Sequence, residues 1–222
     1  MSKRIAVAVL GGFLIACDQA TAPVAPSTLN DGAVAVVAPG TPVYTARGTA
    51  VDATLLSLNN KISDCNLPPG PGGNIAKNVA SYSAPGIFYK LLYCNAIGGN
   101  NKSVAEAGVF EVILTVGGHT IFADVLSSMA KADCPPTGPA SYGSSSIARL
   151  NVDGNGHQVG TAPNYTIPLA NGYIVVNEQT SFATPFHAGR TVTALRVVIN
   201  KPVAIADIKI ARSQTHIDCP AT

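Results

Sequence analysis

Between residues 164 and 219, apolar and polar side chains alternate over runs long enough for β-strands. Residues 191–199 put Thr191, Thr193, Leu195, Val197 and Ile199 on one face. Residues 203–210 put Ala204, Ala206, Ile208 and Ile210 on one face, with Asp207 and Lys209 on the other. A period of two predicts strands with one dry side and one wet side. Asn171-Gly172 sits between β-branched runs and predicts a tight hairpin.

Upstream, residues 43–58 predict a long strand or bent pair that turns at Asn59-Asn60. The run Pro68-Pro69-Gly70-Pro71-Gly72-Gly73 predicts an exposed loop over residues 67–74. Residues 87–94 predict a strand and residues 95–102 a polar connection. Residues 104–116 and 119–127 predict a hairpin turning at Gly117-Gly118, with Phe110, Val112, Leu114 and Val116 sharing a face. Val125, Leu126 and Met129 also fit helical spacing, but the segment is short and uncapped, so a strand is preferred. A further hairpin is expected around Asp153-Gly154-Asn155-Gly156. Together these predict one all-β domain over residues 43–222, an antiparallel β-sandwich of jelly-roll or Ig-like type, with a closed β-barrel as the alternative.

The start of the chain breaks this pattern. Lys3 and Arg4 precede a short apolar run, and Leu14-Ile15-Ala16-Cys17 matches a bacterial lipobox. The run is too short to span a bilayer as a stable helix. Residues 1–16 are therefore read as a lipoprotein signal peptide, with Cys17 as the lipidated residue. Residues 17–42 are rich in Ala, Pro, Thr and Ser and are read as a flexible tether.

Cleavage before Cys17 removes two of the 14 basic residues and leaves 12 against 12 acidic ones. That balance argues against a nucleic-acid partner, which needs clustered positive charge. The expected membrane attachment is through the lipid alone. Four cysteines then remain, Cys65, Cys94, Cys134 and Cys219, and an even count in an exported chain implies two disulfides with three possible connectivities. The expected pairs are Cys65 with Cys94 and Cys134 with Cys219. Each of these cysteines except Cys94 follows an Asp at a predicted strand end, a recurrence that chance also produces in a β-rich chain.

Candidate chemistry is sparse. His119, His157, His187 and His216 show no metal-ligand spacing and are read as surface or structural, so a site would have to be assembled across the fold. The only glutamates are Glu106, Glu111 and Glu178. A hydrolase built on paired carboxylates needs one acid with a raised pKa, and Glu178 with Asp207 is the conceivable pair. His187 completes the weak polar-site candidates. Asp153 and Asn155 are weak metal candidates, but a tight turn explains their glycines and the closing Glu of a calcium loop is missing. No nucleophile-elbow, P-loop or dinucleotide glycine pattern occurs, so no cofactor is expected. Two Asn-x-Ser/Thr acceptors, Asn101 and Asn164, are discounted in a chain with a bacterial lipobox. The absence of Trp counts against sugar stacking, while seven tyrosines keep a glycan partner open.

Several segments resemble the bacterial choice-of-anchor P family of exported proteins. They are Ala46-Arg47-Gly48-Thr49-Ala50-Val51, Leu67-Pro68-Pro69-Gly70 and Ala162-Pro163-Asn164-Tyr165-Thr166-Ile167. To these are added Val176-Asn177-Glu178-Gln179, Thr193-Ala194-Leu195-Arg196-Val197, Ala206-Asp207-Ile208-Lys209-Ile210-Ala211 and the final cysteine. The resemblance implies a domain held at the cell surface and carries no catalytic residues with it. Asp18 after the cysteine resembles an inner-membrane retention signal instead, so the holding membrane is left unassigned. The expected function is a lipid-anchored cell-envelope protein with a non-catalytic domain for surface contact, adhesion or structure, facing a surface protein or glycan. The alternatives are a hydrolase with a site assembled across strands and a small-ligand or carbohydrate-binding module.

Overall fold

A computed structural model describes residues 40–55, 58–202 and 205–220. The proposed signal peptide, Cys17 and nearly all of the tether lie outside the described residues. Two antiparallel sheets pack face to face as a β-sandwich; they do not close into a barrel, and no helix occurs among the described residues. The strands are β1 (Val43–Leu55), β2 (Leu58–Gly70), β3 (Gly73–Ala84), β4 (Ile87–Gly99) and β5 (Lys102–Val116). Next come β6 (His119–Asp133), β7 (Ala140–Ala148), β8 (Leu150–Val152) and β9 (Asn155–His157). The last are β10 (Tyr165–Leu169), β11 (Gly172–Ala183), β12 (His187–Ile199) and β13 (Ala206–Asp218). One sheet runs β10-β11-β12-β13-β1-β2; the other runs β3-β4-β5-β6-β8-β9, with β7 also on β6. The core between them is aliphatic, with Leu92, Leu114, Ile121, Leu126, Ile174, Leu195 and Ile210 fully buried.

Several strands run longer than alternation alone predicts, and the long strands β5, β6, β12 and β13 change their inward parity at one row. In β13 the buried positions are Ala206, Ile208 and Ile210, and then Ala211, Ser213, Thr215 and Ile217. Ser63, Ala211 and Asn177 on alternate strands of the six-stranded sheet have φ of 51°, 52° and 53° at this row. In the other sheet Leu91 on β4 and Glu111 on the adjacent β5 have φ of 44° and 53°, and Arg149, between β7 and β8, has 50°. A residue in the left-handed region reverses which side the next residue faces, and the ladder skips one pair there. The face predicted from Phe110 is corrected accordingly: Val112 and Leu114 are buried, but Phe110 lies before the reversal and is 40% exposed. Likewise Val192 joins Leu195, Val197 and Ile199 in the core, while Thr191 lies outside it.

Several turns also move. Asn59 and Asn60 are ladder residues of β2, opposite Thr54 and Ala53. Pro68 and Pro69 belong to β2 rather than to a loop; β2 is an edge strand, where a missing N–H costs no ladder bond. The 95–102 segment continues β4 and turns at Asn100-Asn101, both with positive φ. Gly172 opens β11 one residue after the turn, and it is glycine because a Cβ would strike the Val198 carbonyl oxygen. Gly117-Gly118 and Asp153-Gly154 turn as predicted, all four with positive φ. The structure joins Cys65 to Cys94 and Cys134 to Cys219. Each bond links one sheet, or the chain at its end, to the other sheet.

Candidate functional site

The wet face of the six-stranded sheet holds most of its charged residues in ion pairs. Arg47 on β1 donates through Nε and Nη2 to Asp64 on β2, at 2.8 and 2.6 Å, and Thr49 Oγ1 adds a third bond at 2.7 Å. Arg212 reaches Asp52 at 3.2 Å. Arg196 on β12 takes both of the predicted site acids. Its Nε and Nη2 donate to the two oxygens of Asp207, at 2.9 and 3.0 Å, and its Nη1 donates to Glu178 Oε1 at 2.7 Å. Lys209 Nζ adds a bond to Asp207 Oδ2 at 2.9 Å.

Glu178 and Asp207 therefore do converge, but on a shared guanidinium. Burial raises the Asp207 carboxyl, and the hydrogen bonds from Arg196 and Lys209 outweigh it and hold the group below its ordinary value. A general acid needs the opposite shift. Both Asp207 oxygens are already accepting hydrogen bonds, so neither is poised to take a proton from a substrate. This arrangement binds strands β11, β12 and β13 together; its pairs are part-exposed and solvent-screened, so each contributes little alone.

His119 forms a second array, which the spacing of the histidines does not reveal. Its Nδ1 lies 2.6 Å from Asp153 Oδ2 and its Nε2 lies 2.9 Å from Asn171 Oδ1. Asn171 Nδ2 donates to Gly117 O at 2.8 Å, which fixes that amide's orientation. An imidazole backed by a carboxylate resembles half of a nucleophile-activating pair, but its far nitrogen meets an amide oxygen rather than a hydroxyl or thiol. The array instead latches the β5–β6, β8–β9 and β10–β11 turns to one another. Hydrogen bonds from His119 and the Thr120 N–H lower the pKa of Asp153. Asn155 makes one weak bond, through Nδ2, to the Asp153 carbonyl oxygen at 3.4 Å. Asp153 thus holds the turn, and Asn155 adds only that one weak contact to it.

His187, the third polar-site candidate, is remote in sequence from His216 and Asp218 yet meets both. His187 opens β12 directly opposite Asp218 near the end of β13, and His216 lies two residues before Asp218 on the same outer face. His187 Nδ1 is 2.6 Å and His216 Nε2 is 2.5 Å from the same oxygen, Asp218 Oδ1. Burial raises the Asp218 carboxyl, but the two imidazoles outweigh it and the net shift is downward. The donor atoms of these three residues all lie within 4.8 Å of one another, close enough to hold a metal ion.

Clefts of about 480, 390 and 530 Å³ open elsewhere, beside His157, beside Ile205 and beside the Cys134–Cys219 bond. A smaller polar cleft of about 250 Å³ lies between β5, β6 and β7, lined by Tyr93, Glu106 and a run of serines that includes Ser144, Ser145 and Ser146. Burial and the nearby Glu106 charge raise the Tyr93 phenol. No known family model matches the chain, and no curated protein matches it either. Among the described residues no helix is long and apolar enough to cross a membrane.

Proposed function

We propose that the chain is a lipid-anchored bacterial cell-envelope protein whose β-sandwich serves surface contact, adhesion or structure without catalysis. The observation that carries this reading is the pairing of Glu178 and Asp207 with Arg196, which turns the best acid pair in the sequence into a strand clamp. The lipobox ending at Cys17, the Ala/Pro/Thr-rich tether and the two disulfides support it, since together they hold a durable domain away from a membrane. The resemblance to the choice-of-anchor P family adds a surface location to the same reading.

Anchoring is tested by growing cells that express the full chain with a labelled fatty acid. The parent is expected to incorporate label and to yield a membrane-extracted form that begins at Cys17. Cys17→Ala is expected to carry none. Equal labelling of the two chains, or a membrane form whose mass includes no lipid, contradicts the anchor.

A further inference from the structure

The outer face of the six-stranded sheet treats its carboxylates in two ways. Asp52, Asp64 and Asp207 are each paired with arginine. Asp218 is met instead by two imidazoles. Guanidinium neutralises a carboxylate and has no lone pair to share, whereas neutral imidazole is a strong ligand for borderline divalent ions. We propose that His187, His216 and Asp218 form a binding site for a zinc-class divalent ion, with water completing the coordination.

The donor set fits that ion. Two imidazole nitrogens and one carboxylate oxygen are a familiar zinc ligation, leaving at least one position open, whereas calcium and magnesium prefer oxygen alone. Zinc bonds of about 2.0 Å imply ligand-to-ligand edges of roughly 3.3 Å. The two imidazoles lie 2.6 and 2.5 Å from the shared oxygen and all three donor atoms lie within 4.8 Å of one another, so opening these contacts by under about 1 Å brings them to that spacing. His187 is exposed and has room to make that adjustment.

The platform beneath is held from several sides. The His187 N–H donates to Thr184 Oγ1 at 3.0 Å, and its carbonyl accepts from the Thr184 N–H at 2.8 Å. Asp218 is followed by Cys219, which is disulfide-bonded and donates its N–H to the Phe186 carbonyl at 2.7 Å. His216 faces Gly189 across the β12–β13 pair, and the space left by that glycine takes the Phe182 ring, which packs against the His216 ring at 5.4 Å. A ring wall and fixed strand ends orient the ligands before the ion arrives. Among the described residues, no lysine or arginine pairs with Asp218 to compete with a cation.

The test is calorimetric titration of ZnCl₂ into the full chain, in detergent, purified without a histidine tag and stripped of metal. One ion per chain is expected, displaced by neither Ca²⁺ nor Mg²⁺. His216→Ala and Asp218→Asn are expected to weaken binding by at least about 100-fold, since even the outer partners of metal ligands are worth roughly 10–100-fold. His157→Ala, outside the cluster, is expected to bind as the parent does. Circular dichroism verifies folding, and His216→Gln provides a second variant of similar size. Failure of the parent to bind zinc saturably, or unchanged binding in folded His216 and Asp218 variants, overturns the site. Either result leaves the anchoring reading untouched, because the labelling of Cys17 is read separately.

Discussion

Changing Cys134 and Cys219 together to serine lowers the melting temperature by roughly 10–18 °C. The bond closes a loop of 85 residues, for which chain entropy alone gives about 4.6 kcal/mol. It ties the chain just past β6, in one sheet, to the chain just past β13, in the other. Both cysteines are only partly buried, so the change leaves little cavity and reads mainly the constraint on the unfolded chain. Cys65–Cys94 closes 29 residues and gives about 3.6 kcal/mol by the same reasoning, but both of its residues are buried and packing losses would add to it. A scanning-calorimetry comparison of parent and Cys134/Cys219 double variant checks the figure. A fall of less than about 3 °C would show that the bond restricts the unfolded chain far less than loop closure gives.

Gly48 is the position where the smallest addition is expected to do the most damage. It lies on β1, opposite Cys65 on β2 and Ser213 on β13. A Cβ there would overlap the carbonyl oxygen of Glu106 and approach that of Asn95 to 2.9 Å and Cys94 Cβ to 3.2 Å. These atoms belong to β4 and β5 of the opposite sheet, and two of the three are backbone. Relief requires the sheets to part, and the Cys65–Cys94 bond holds them together at this level. Gly48→Ala should therefore lose about 3 kcal/mol or more, at or above the upper end of ordinary overpacking, and Gly48→Val should not be recovered folded. Gly156→Ala is the control: nothing lies within 4 Å of its added Cβ, and a change within about 0.5 kcal/mol is expected. Urea midpoints at equal slope report the difference. A Gly48→Ala chain as stable as the parent would mean that the sheets are not in backbone contact there.

The sandwich was legible because most of its signals are local. Alternating runs and glycine turns such as Gly117-Gly118 specify strands and hairpins within a few residues. The parity row was not legible. Its left-handed positions are Ser63, Leu91, Glu111, Arg149, Asn177 and Ala211, none of them a glycine that would mark such a backbone. The reading from Phe110 therefore runs straight through the reversal.

The site shows the same limit at longer range. Glu178 is visible as one of three glutamates and Asp207 as the outward residue of an alternating run, but their meaning depends on Arg196, which sequence places only inside a run of apolar residues. His187, His216 and Asp218 lie beyond the ends of the strands predicted as 191–199 and 203–210. Counting outward from the Ile199–Ala206 pair brings His187 opposite Asp218, so the cluster follows once the register and the full strand lengths are known. No motif spacing carries that information.

The central claim is that this domain acts by being held and displayed rather than by turnover. Its most direct test is an assay of the full chain, with and without added Zn²⁺, against panels of glycoside, ester and peptide substrates. Glu178→Gln, Asp207→Asn and His187→Ala are run alongside, each with its folding verified. The expected result is no turnover above the buffer rate in any arm. Turnover by the parent that one of these folded variants abolishes would contradict the account and make the protein an enzyme.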